Sequence, residues 1–66
     1  MQVTINGRPH QLAVGVSLAQ AVALLTSAPS GVAAAVNGSV VRRAAWDATA
    51  LGEGDEVEVL TAVQGG

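Results

Sequence analysis

The sequence has no cysteine, lysine, phenylalanine or tyrosine, and its one aromatic side chain is Trp46. Each absence excludes something. Without cysteine, neither a disulfide nor a thiolate metal site reinforces the fold, although the redox compartment stays open. Without lysine, the basic residues are only Arg8, Arg42 and Arg43, and the net charge is −2. That is no electrostatic footprint for nucleic acid. Long apolar runs are missing too. The most apolar stretch, from Leu18 to Leu25, falls far short of the ~20 residues that cross a membrane. Met1-Gln2-Val3-Thr4-Ile5 lacks the basic start and apolar run of a signal peptide. A soluble, cytoplasmic protein with neither membrane nor nucleic acid as partner is the default expectation.

What is present is aliphatic. Half of the 66 residues are apolar, and a chain of this length buries about 60% of its unfolded surface, in one small domain. A core of Val, Ala and Leu suits a thin layer of helix on sheet. Four of the five acidic residues, Glu53, Asp55, Glu56 and Glu58, gather towards the C-terminus. They fit either a field that steers a basic partner or a strand edge kept solvated by charge.

Along the chain, Val3 and Ile5 alternate with Gln2 and Thr4, the period of a half-buried strand. Asn6-Gly7 predicts a tight hairpin turn. The return strand is expected over 8–14, with Leu12 and Val14 on one face, and Pro9 places it at a sheet edge. Ser17-Leu18-Ala19-Gln20 reads as a capping box opening a helix. Leu18, Ala21, Val22 and Leu25 form its apolar stripe, and Pro29 ends it. Val32 to Val36 predicts a buried strand that Asn37-Gly38 turns into Val40-Val41. Residues 42–51 have no clean period and allow one helical turn over 44–47. Glu53-Gly54-Asp55 is a tight turn. A last strand follows over 56–63, with Val57, Val59, Thr61 and Val63 on one face and Glu58, Leu60 and Ala62 on the other. A helix crossing from an early hairpin, with the last strand returning beside the first, predicts an α+β fold. It is a mixed sheet of four to five strands with one helix across it, the ubiquitin-like β-grasp layout. The domain is expected over 1–63, with 64–66 as a flexible tail.

The catalytic inventory is nearly empty. His10, the one histidine, has no cysteine or second histidine with which to share a metal and reads as a surface residue. Serine or threonine nucleophiles would need a base with an orienting partner. No bound cofactor or metal is expected, and the chain reads as a partner's co-substrate rather than an enzyme. Trp46 either plugs the open end of the core, its indole N–H on a carbonyl, or serves as a surface anchor. Leu60, with Ala62, falls on the strand face opposite Val57 and Val59, where an uncovered sheet should be polar. An apolar spot there suggests docking. The ending Gln64-Gly65-Gly66 is thin enough to thread a narrow channel, and three extended residues reach about 10 Å. A frayed terminus is the plainer reading.

Several features together resemble the ThiS family of thiamine-biosynthesis sulfur carriers. They are Met1 to Gly7, Val36-Asn37-Gly38 before Val40-Val41, Gly54-Asp55-Glu56-Val57-Glu58, and Val63-Gln64-Gly65-Gly66. The resemblance covers essentially the whole chain. It implies that a ThiF-type enzyme, using its own ATP and Mg, adenylates Gly66. The product becomes a C-terminal thiocarboxylate whose sulfur, supplied by a sulfur-donor enzyme, passes to thiazole synthase, ThiG. Gln64, Gly65 and Gly66 would thread the partner's active site, while Leu60 and Ala62 would dock. Related readings with the same ending are carriers for molybdopterin, tRNA thiolation or cysteine synthesis, a ubiquitin-like protein modifier, and a plain interaction module.

Overall fold

The computed structural model describes residues 1–27 and 31–61. The expected stop at Pro29, the boundary at 63/64, and Ala62, Val63, Gln64, Gly65 and Gly66 lie outside the described residues.

Strand β1 (Gln2–Ile5) buries Val3 and Ile5 and turns at Asn6-Gly7, whose φ values are 51° and 80°. Positive φ at both positions makes the primed turn whose twist matches a two-residue hairpin. The return strand β2 (Arg8–Gln11) pairs antiparallel with β1 from Ile5↔Arg8 to Gln2↔Gln11. It is outermost in the sheet, where Pro9 removes no needed ladder donor. The strand stops short of the expected residue 14. A strand lasts only as far as its partner, and after the Leu12 N–H reaches the Met1 carbonyl at 2.8 Å the chain turns. Val14 is 87% exposed as a result.

Helix α1 (Leu18–Leu25) begins at the expected capping box. The Gln20 N–H donates to Ser17 Oγ at 3.1 Å, and the Ser17 N–H donates to Gln20 Oε1 at 2.9 Å. Leu18, Ala21 and Val22 are buried. Leu25, the fourth member of the predicted stripe, is 42% exposed, because it sits in the terminal turn where the chain leaves through an extended Thr26.

Strands β3 (Val32–Val36) and β4 (Ser39–Val41) are joined by Asn37-Gly38, again with both φ positive. Of β3 only Ala34 is buried and Ala33 is exposed, which corrects the expectation of a wholly buried strand. The helix covers one face of the sheet, so burial alternates. The unpatterned link contains a 3₁₀ helix (Arg43–Ala48), whose three-residue repeat leaves no 3.6-residue signature. Trp46 is buried there, donates from Nε1 to the Val41 carbonyl at 2.8 Å, and carries the Arg43 guanidinium 4.9 Å from its ring centre. It is the core plug rather than a surface anchor.

Strand β5 (Glu56–Thr61) lies between β1, parallel, and β3, antiparallel, in the order β2-β1-β5-β3-β4. This is the β-grasp arrangement. Ile5, Leu18, Val3 and Val57 are its most deeply buried large side chains. Val57 and Val59 face inward as expected, whereas Thr61 is exposed at the strand's end.

Candidate functional site

The route to the tail is β5, and polar side chains fasten its start. Asp55 accepts from the Gly52 N–H at 2.7 Å and from Asn37 Nδ2 at 3.1 Å, while Glu53 accepts from the Gln2 N–H at 3.1 Å. Asn37 Oδ1 accepts from the Glu56 N–H at 3.0 Å. Two of the four clustered acids therefore close a loop, leaving Glu56 and Glu58 exposed on the sheet.

The uncovered sheet face divides in two. Towards β2 it is polar, with Gln2 and Gln11 paired, and Thr4 beside Glu56. Towards β4 it is apolar. Leu60 is 67% exposed and lies opposite Ala33, and Val40, 79% exposed, lies opposite Ala35. A depression of about 240 Å³ runs between Val40, Ala33 and Leu60, bounded by Glu58 and Gly38. Another of about 350 Å³ lies where β5 gives way to the tail, lined by Gly31, Val32, Leu60 and Thr61. The apolar half thus reaches the last described residues of β5, Leu60 and Thr61.

Leu60 therefore stands where strand alternation placed it, exposed and outward. Its neighbours Val40 and Ala33 are not singled out by sequence, because only the pairing of β3 with both β4 and β5 brings them together. His10 is half-buried in β2, and among the described residues no three of His, Cys, Asp or Glu are grouped to hold a metal. Also among them, no helix is long and apolar enough to cross a membrane.

A profile of the ThiS family matches residues 3–66. The chain belongs to the ThiS family. Similar solved structures agree with that membership. The crystal structure of the thiamine biosynthesis protein ThiS from Geobacter metallireducens is 35% identical, with a TM-score of 0.80 and each chain covered in full. The solution structure of a thiamine biosynthesis protein from the same organism is 35% identical at a TM-score of 0.81, covering all of this chain and 88% of the other. Among curated relatives, a thiazole synthase of Magnetococcus marinus is 36% identical over 66 residues, all of this chain. The chain spans 20% of that longer protein. The bare sheet face is accordingly that of a ThiS-family β-grasp domain.

Proposed function

We propose that this ThiS-family chain is a sulfur carrier of thiamine biosynthesis and works through Gly66. A carboxylate is a poor electrophile. In the proposed first step the Gly66 carboxylate attacks the α-phosphorus of ATP held by a ThiF-type enzyme. This forms an acyl-adenylate and releases pyrophosphate, with the partner's Mg stabilising the charge. Hydrosulfide released by a donor enzyme then attacks the acyl carbon, displaces AMP and leaves a thiocarboxylate. Gln64, Gly65 and Gly66 thread the partner's channel, because a glycine pair has no side chain to obstruct it and accepts backbone angles closed to other residues. Leu60 and Ala62 dock the body. In this scheme the chain is a co-substrate, holds neither ATP nor metal itself, and acts in the cytoplasm.

The observation that carries the reading is the family match running through Gly66, on a body whose apolar sheet face reaches Leu60 near the end of β5. Thiazole synthase as the recipient is supported by the name of the longer Magnetococcus marinus relative. The test is intact mass after incubation with a ThiF-type enzyme, ATP and a sulfur donor. One oxygen should be exchanged for one sulfur. Deleting Gly66 should abolish the exchange and leave the melting temperature unchanged. An unaltered mass with a competent enzyme sinks the carrier reading, and a large drop in melting would make the tail structural.

A further inference from the structure

The two edges of β5 are held by different means. On the β3 side the backbone ladder continues to Val32↔Thr61. On the β1 side the pairing stops at Ile5↔Val57, because the chain turns away at Asn6-Gly7. The last backbone bond there runs from the Asn6 N–H to the Val57 carbonyl, at 2.9 Å. Two residues further on, the Asn6 side chain takes the place of a strand. Its Oδ1 accepts from the Val59 N–H at 2.8 Å, and its Nδ2 donates to the Val59 carbonyl at 3.1 Å. A carboxamide carries the same donor and acceptor as a peptide unit, so one side chain satisfies both backbone groups of Val59. Asn37 binds β5 as well, but at its beginning, through Glu56.

We propose that Asn6 is a positioning residue for the C-terminal tail. By fixing both backbone groups of Val59, two residues before the end of β5, it sets the direction in which the chain leaves the sheet. It thereby sets where the terminal carboxylate is delivered. Without this clamp, β5 beyond Val57 is tied along one edge only, and its end is free to swing about the β3 ladder. The delivery clause rests on the sulfur-carrier reading; the clamp itself does not.

Two Asn→Gly variants make a matched pair, since Asn6 and Asn37 both sit at positive φ, 51° and 50°, where glycine is unstrained. Amide exchange measured by NMR on the full chain should accelerate at Val59 by about tenfold more in Asn6→Gly than in Asn37→Gly. Residual dipolar couplings of the Leu60 and Thr61 amides should change only in Asn6→Gly. With a ThiF-type enzyme and ATP, Asn6→Gly should lower kcat for loading about tenfold with KM nearly unchanged, because the docking face is intact. Asn37→Gly should keep the wild-type kcat. Asn6→Asp, which keeps size and acceptor but sets a carboxylate oxygen against the Val59 carbonyl, should behave like Asn6→Gly and serves if that variant fails to fold. Equal kcat in the two glycine variants overturns the proposal. If even the wild type is not loaded, the carrier reading fails separately, and unchanged Val59 exchange and couplings in the Asn6 variants still overturn the clamp.

Discussion

Leu60 and Val40 leave most of their side-chain surface in water, while Val57 and Val59, one residue out of phase with Leu60 on the same strand, are buried. A single exposed leucine needs no explanation, but Leu60 and Val40, which flank β3 at Ala33 and Ala35, form a patch. Leu60→Glu should therefore cost less than about 0.5 kcal/mol of folding stability, as is usual for surface positions. In the sulfur-carrier reading it should weaken binding to the proposed partners, thiazole synthase and a ThiF-type enzyme, by about tenfold or more, as loss of an interface anchor does. Calorimetric titration beside a thermal melt separates the two effects, and a collapse in melting with unchanged affinity would count against docking. Leu60 was legible in the sequence because strand alternation alone places it outward. Val40, Ala33 and the reach of Asn6 were not, because each depends on which strands lie side by side. An Asn-Gly pair announces a turn, but nothing local says that its amide will meet Val59, 53 residues away.

Among the elements, those with a local cause were the readable ones. Both hairpins follow from Asn-Gly turns, and α1 follows from its capping box. The helix has eight residues, below the ~12–15 at which an isolated helix becomes even marginal in water. Cap and packing must hold it together. Ser17→Ala should accordingly cost about 1 kcal/mol, visible as a melting temperature lower by about 4–8 °C in a domain this size. An unchanged melt would mean that packing of Leu18, Ala21 and Val22 alone fixes the helix start. Elements whose limits are set by a neighbour were misjudged. The alternation of Leu12 and Val14 runs past the point where β1 offers a partner, whereas the helical turn expected over 44–47 is found as the 3₁₀ helix Arg43–Ala48, one residue longer at each end.

For the whole molecule, stability rests on a small aliphatic core with one ring and no cross-link. At roughly 0.05–0.15 kcal/mol per residue, a chain of this length has about 3–10 kcal/mol in all. Ile5, 1% exposed and beside Val57 at the β1–β5 junction, is where that small margin is most vulnerable. Ile5→Ala should cost about 2–5 kcal/mol and leave much of the protein unfolded at 37 °C, read as lost cooperativity in a circular-dichroism melt. Retained cooperative melting near the wild-type temperature would show that the sheet collapses around the gap.

The strand order has a consequence for how the chain is made. β5 is the centre of the sheet but the last of its strands to be synthesised, and Thr4 must wait for Glu56. As a nascent chain leaves the ribosome, two hairpins and a helix emerge with no common strand to join them. Closure of the long loop between β1 and β5 comes at the end, the slow step expected of non-local pairing.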